Sequence, residues 1–138
     1  MTEDELQKYV VQWLDASLPM GSVYHHSPNE GIRNISYKMK LKALGTKWGW
    51  PDLELFIPDH GWQNIEAKGA IMLELKRPKG GRLSDAQKDI HERLRDAGVY
   101  VAVCKRIGQV NAYLSPLLKL RKNTQAELVR QICEAAGG

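Results

Sequence analysis

Two short apolar runs, residues 71–75 and 99–104, lie on either side of a segment that carries the marks of a capped helix. No other feature of the chain limits its fold so strongly. Ser84 opens the helix with Gln87 at capping-box spacing, Gly98 follows its end, and Ala86, Ile90, Leu94 and Ala97 supply a buried face. The β-branched run at 99–104 reads as a central buried strand, so the unit is a parallel strand pair with a right-handed crossover. Along the first strand, side chains two apart share a face. Glu74 and Lys76 therefore project together, while Ile71, Leu73 and Leu75 enter the opposite, buried side.

The motif Gly49-Trp50-Pro51 turns the chain into a strand predicted over residues 52–57, which brings a second acid, Asp52, towards that pair. Two carboxylates and a backbone carbonyl can hold Mg²⁺ and leave positions for water and a phosphate oxygen. A neighbouring lysine would then hold or deprotonate that water and offset negative charge in the transition state. Spacing alone leaves a second reading equally open, an ordinary strand-end salt bridge between Glu74 and Lys76. Ile65-Glu66-Ala67-Lys68 repeats the acid-x-lysine pattern. Flanked by Gly61, Gln63, Asn64 and Gly69, however, it reads as a hairpin or loop margin, and Glu74 is preferred.

Residues 2–18 form an amphipathic helix whose stripe is Leu6, Tyr9, Val10, Trp13 and Leu14. Thr2 and Glu5 have capping-box spacing. Glu3 falls roughly 50 degrees from the centre of the stripe at 100 degrees per residue, close enough to look into a site on the sheet. The alternative is a solvated first-turn acid favoured by the helix dipole. A short strand is expected at 22–25; His25 and His26 face opposite ways on it and cannot readily grip one ion together. A helix predicted over 37–44, stopped by Gly45, carries Lys38, Lys40 and Lys42, with Arg33 before it and Lys47 beyond. Such a run is a solvated face or a phosphate-binding patch. The loop Lys79-Gly80-Gly81-Arg82 adds positive charge but lacks the spacing of a nucleotide-binding P-loop.

The rest of the sequence sets bounds. At 138 residues, 43% hydrophobic and 26% charged, the chain has the size and composition of one soluble domain. No apolar run could span a bilayer and the N-terminus is unlike a secretory signal, so a cytoplasmic, intracellular protein is expected. Cys104 and Cys133 lack zinc-site spacing and read as reduced structural thiols. The net charge of +4 suits a polyanionic partner only weakly. Helices are expected at 109–114 and 124–136, where Leu128, Val129, Ile132 and Cys133 would cover the sheet or a second subunit.

Taken in order, Gly49-Trp50-Pro51-Asp52-Leu53, Leu73-Glu74-Leu75-Lys76, Gly81-Arg82-Leu83-Ser84-Asp85-Ala86-Gln87 and Gly98-Val99-Tyr100-Val101 resemble the successive motifs of the virus-type replication-repair nuclease (VRR-Nuc) domain, of the PD-(D/E)XK nucleases. His25 or His26 with Ser27-Pro28-Asn29-Glu30-Gly31 is similar to the segment that precedes them in small members. The resemblance runs from Glu3 to about Cys104 and implies an α/β, restriction-endonuclease-like fold with a mixed central sheet flanked by helices. It implies one domain over 1–138, with a core at about 2–107 and a C-terminal helical extension at about 108–138. It also implies metal-dependent cleavage of DNA: Asp52, Glu74 and the Leu75 carbonyl would bind Mg²⁺ or Mn²⁺, and Lys76 would act on the water. Gln87 would support the site from the following helix, and Glu3 would be the acid of the first helix. Because the Ser-x-x-Gln helix follows the true acid-x-lysine strand closely, the resemblance chooses Glu74 over Glu66.

Small members resemble junction-resolving enzymes, which implies branched DNA such as a Holliday junction as substrate and a homodimer carrying two sites. Arg33, Lys38, Lys40, Lys42, Lys47, Lys79 and Arg82 are the expected DNA contacts. Two other readings compete: a non-catalytic DNA-binding module that keeps the nuclease fold, and a small α/β subunit whose basic patch docks on an acidic protein.

Overall fold

The computed structural model describes residues 1–27 and 34–138. Four strands, β1 (Val23–His26), β2 (Leu53–Phe56), β3 (Ile71–Leu75) and β4 (Tyr100–Cys104), lie side by side in chain order. The first three are antiparallel neighbours; β3 and β4 run parallel, as a crossover through a helix requires. The expected mixed sheet flanked by helices is therefore present. Register places Leu53 opposite Leu73 and Leu73 opposite Ala102, so one face of the sheet is a continuous apolar layer.

Five helices surround it: α1 (Glu3–Ser17), α2 (Ile35–Ala43), α3 (Asp85–Asp96), α4 (Ile107–Leu114) and α5 (Thr124–Ala135). The apolar layer meets α1, α4 and α5 in one core of Leu6, Val10, Leu14, Leu55, Leu73, Leu75, Ile107, Leu114 and Val129, among others. The other face of β3, where Glu74 points, is covered by α3. All five residues of β3 are consequently buried, not only Ile71, Leu73 and Leu75. Burial of such a strand on both faces needs apolar or well-partnered side chains, and Glu74 is the exception that needs a partner.

Local chemistry sets the helix ends. Both expected capping boxes form, Thr2 with Glu5 on α1 and Ser84 with Gln87 on α3. The Asn34 side chain accepts from the Tyr37 amide and starts α2 two residues earlier than the sequence suggested. Gly45, at φ +103°, follows the end of that helix as a left-handed cap. On α3 the buried positions are Ile90 and His91, while Ala86 and Ala97 are exposed; the apolar face assigned from periodicity is shifted by part of a turn. Glu66 lies in a single 3-10 turn, Ile65–Ala67, exposed and off the sheet. In the C-terminal part, Val129 and Cys133 join the core whereas Leu128 and Ile132 face outward. Both cysteines are free and buried, with the Cys104 thiol pushed up to about 11 by burial. Among the described residues no helix is long and apolar enough to cross a membrane.

Candidate active site

Asp52 stands one residue before β2, and the pairing of β2 with β3 carries it alongside Glu74. The Asp52 backbone is fixed from the opposite side by β1. Its carbonyl accepts from the Ser27 amide at 3.2 Å and from His26 Nδ1 at 2.9 Å, which makes Nδ1 the protonated nitrogen of that ring. From the other direction, Gly49 (φ +84°) presses the preceding loop onto α3, so closely that a Cβ there would fall 2.6 Å from the Ala86 carbonyl. Trp50 then donates to Glu54 Oε1 at 2.8 Å, and Ser27 Oγ donates to the same oxygen at 3.2 Å. Glu54 is thereby occupied by the scaffold.

The Asp52 side chain accepts a short hydrogen bond, 2.6 Å, from the Leu75 amide on Oδ2. Leu75 thus enters the site through its backbone, although the contact made here is by its N–H and not by its carbonyl. Asp52 is 7% exposed and Glu74 is 1% exposed. Asp52's carboxyl is pushed up to about 8, first by burial and then by hydrogen bonding with Glu74 and repulsion from it. The Leu75 amide pulls the other way, and the charge of Glu3 adds to the rise. Two carboxyl groups are held together in a dry place where both cannot easily be charged.

Lys76 lies just past the end of β3, its amide donating to the Cys104 carbonyl at 3.0 Å. Its side chain is nearly buried, and Nζ comes within 3.7 Å of Glu3 Oε1 on the first turn of α1. Glu5, by contrast, is taken up in the cap. The two acids at the start of α1 have separate positions, and Glu3 is the one beside the sheet. Gln87 lies on the first turn of α3 with its side-chain oxygen accepting from the Ser84 amide at 2.8 Å, so its visible work is capping. The alternative acid-x-lysine pair is far from this arrangement, since Lys68 reaches Asp59 at 3.4 Å on the surface.

Periodicity did not single out His91. Its Nε2 is 3.2 Å from Glu74 Oε1, and both side chains are 1% exposed. Burial first, and the charges of Arg95 and Lys76 after it, hold the ring below the ordinary histidine range despite the opposing pull of Asp52, so it is neutral. A hydrogen bond to a carboxylate then requires the proton on Nε2. Among the described residues, buried Nδ1 has no hydrogen-bond partner. One sequence signal could have found it: His91 is four residues after Gln87 and three before Leu94, on the side of α3 that turns to the sheet.

A cavity of about 490 Å³ opens between the start of α1 and the loop after β3, with Glu3, Arg77 and Arg82 on its walls. Lys79 and Arg82 are exposed there, and α2 presents Lys38, Lys40 and Lys42 with Lys47 just beyond, all exposed. Lys38 lies 6.0 Å over the Trp48 ring. Arg33 and the segment 28–31 lie outside the described residues.

Among the described residues no three His, Cys, Asp or Glu side chains cluster in a way that could cage a metal ion. This does not exclude the ion expected from the sequence. Mg²⁺ keeps several waters and is commonly held by one or two carboxylates together with substrate phosphate. Asp52 and Glu74 fit that donor set, and a divalent charge would relieve the repulsion that raises Asp52.

Comparisons with known proteins point to one family. The family model of the VRR-NUC domain matches residues 1–106. Among solved structures, a VRR-NUC domain protein aligns with 28% identity and a TM-score of 0.63, covering 83% of this chain and 86% of its own. A second VRR-NUC domain, 21% identical, shares the fold with a TM-score of 0.51 over 82% of this chain and 94% of its own. No curated protein matches.

Proposed function

The chain belongs to the VRR-NUC domain family, whose members are nuclease-type DNA-processing proteins, and on that ground we propose that it is a metal-dependent endodeoxyribonuclease selective for branched DNA. The observation that carries this reading is the contact between two buried carboxyl groups, Asp52 and Glu74, with Lys76 at the next outward position of the same strand. A protein that only bound DNA would gain nothing by desolvating two acids next to a phosphate.

In this reading Asp52, Glu74 and the Leu75 carbonyl hold Mg²⁺ or Mn²⁺. Bound there, the ion supplies Lewis acidity to the phosphoryl group and lowers the pKa of the attacking water. The Leu75 amide fixes which Asp52 oxygen is turned away, and β1 fixes the backbone behind it. Lys76 holds the attacking water and opposes the charge that develops on the phosphoryl oxygens. Glu3, 3.7 Å from Lys76, keeps that ammonium aimed into the site. Gln87 steadies the start of α3 against the site. The exposed lysines of α2, with Lys47, Lys79 and Arg82, grip the DNA backbone. Paired cuts across a junction such as a Holliday junction need two such sites, which a homodimer provides.

The test is cleavage of labelled four-way-junction, flap and linear duplex DNA in Mg²⁺, in Mn²⁺ and in chelator, by wild type and by Glu74→Ala. Metal-dependent cutting that disappears in the variant is expected, with the junction cut fastest. Binding by both proteins without cutting by either would replace the nuclease with the DNA-binding module.

A further inference from the structure

Asp52, Glu74 and Lys76 sit on the two inner strands or just beyond their ends, and Glu74 is reached from behind by α3. His91 lies wholly inside the protein, under the face of β3 that carries Glu74. Its position is costly in two ways. A leucine or phenylalanine would fill the same space without polar atoms, and the ring leaves Nδ1 buried with no hydrogen-bond partner among the described residues. What offsets this is the contact of Nε2 with Glu74 Oε1 at 3.2 Å. A carboxylate at the end of a glutamate side chain turns broadly about its last torsion. A donor fixed by a rigid ring on a packed helix removes that freedom, because the imidazole can move only if α3 moves.

We propose that His91 is a positioning residue for Glu74: its Nε2–H pins Oε1 and so sets the orientation in which the Asp52–Glu74 pair meets a divalent cation. The inference rests on the nuclease reading above and extends it from the carboxylates to the helix behind them. It also carries a consequence for metal choice. Mg²⁺ demands near-ideal octahedral geometry at short distances, whereas larger cations such as Ca²⁺ tolerate irregular arrangements. Loosening Glu74 therefore weakens Mg²⁺ more than it weakens Ca²⁺.

The experiment is calorimetric titration of Mg²⁺ and of Ca²⁺ into wild type, Glu74→Ala, His91→Leu, His91→Gln and His91→Asn, with thermal unfolding in chelator alongside. A glutamine amide reaches about as far as Nε2 and an asparagine amide only about as far as Nδ1. His91→Leu is expected to lower Tm, because buried Glu74 loses its donor, and, at conditions where it stays folded, to bind Mg²⁺ about 10- to 100-fold more weakly, with a smaller loss for Ca²⁺. His91→Gln should return most of the affinity and His91→Asn should not. That second pair decides the matter even if His91→Leu does not fold, since equal Mg²⁺ affinity in the glutamine and asparagine variants would overturn the proposal. So would unchanged affinity in a folded His91→Leu protein while Glu74→Ala loses binding, and the nuclease reading would survive. No difference between wild type and Glu74→Ala in uptake of either ion, with or without bound duplex DNA, would overturn both.

Discussion

Lys76 and Asp52 carry the sharpest expectations at the scale of single residues. Lys76 is nearly buried and its nearest charge is Glu3, so replacing it removes a cation from the site without opening the core. Lys76→Ala is expected to abolish cleavage, by at least about 100-fold in single-turnover assays, while binding of Mg²⁺ and junction DNA stays within a few-fold of wild type. Cutting at near wild-type rate would remove Lys76 from the chemistry. Asp52 binds its proton more tightly in the folded protein, at about 8, than an exposed carboxyl does, so folding takes up a proton between about pH 4 and pH 8. The unfolded chain binds fewer protons in that window, and this group's contribution to stability therefore falls as pH rises through it. At about 1.4 kcal/mol for each tenfold change in proton affinity, the effect reaches several kcal/mol. In chelator, wild type should lose stability relative to Asp52→Asn between about pH 5 and pH 8, as followed by thermal unfolding of both proteins. Added Mg²⁺ should restore wild type alone. Parallel pH curves for the two would show that the Asp52 carboxyl is not under strain. His91 was hidden for a different reason. Its neighbour Ile90 marks the apolar stripe of α3, and a histidine beside that stripe looks like surface until a buried carboxylate is found above it.

Among the elements, α2 and the loop that follows it would connect the proposed DNA contact to the proposed chemistry. None of α2's residues is buried, and its lysines have no apolar stripe to flank, so the helix is not held for the sake of the core. Removing Lys38, Lys40 and Lys42 together should weaken junction binding and reduce the slope of log affinity against log salt by about 2 to 3, at ~0.9 for each phosphate no longer neutralised. An unchanged slope in a fluorescence-anisotropy titration would make α2 a solvated helix and nothing more. The loop beyond it is held by close approach at Gly49. A methyl group there would collide with the Ala86 carbonyl at 2.6 Å, and φ of +84° is itself unfavourable for any other residue. Gly49→Ala should cost about 2 kcal/mol or more by denaturant unfolding, and at conditions where it stays folded it should bind Mg²⁺ less well because Asp52 shifts. Equal stability would mean that the loop yields without disturbing α3. In sequence Gly49 looked like part of a turn before a proline; its real constraint is a helix far downstream, which no local pattern could reveal.

For the whole molecule, the proposed junction cutting requires two copies, and α5 carries one of the exposed apolar faces that would join them. Of the α5 residues that would cover the sheet or a second subunit, Val129 and Cys133 serve this chain's own core, and Leu128 and Ile132 face outward. Sedimentation at micromolar concentration should report a dimer, and Ile132→Glu should shift it towards monomer and convert paired nicks on a junction into single ones. A monomer at every concentration would remove the symmetric model. Local and periodic features were legible in the amino-acid order alone: the strand at 71–75, the two capping boxes, the glycine ends and the β-α-β order. Each depends on residues within a few positions of one another, where backbone geometry leaves little choice, and the order of elements then confines the sheet to few arrangements. The motif order from Gly49 to Val101 reached further and singled out Asp52 and Glu74, but not their surroundings. Tertiary structure alone decided that Lys76 comes within 3.7 Å of Glu3, that Glu54 is engaged by Trp50, and that His91 meets Glu74. Those outcomes turn on burial and on distances of a few ångströms between distant parts of the chain. The cost of desolvating a carboxylate is set by what packs over it, and that exists only once the elements have met.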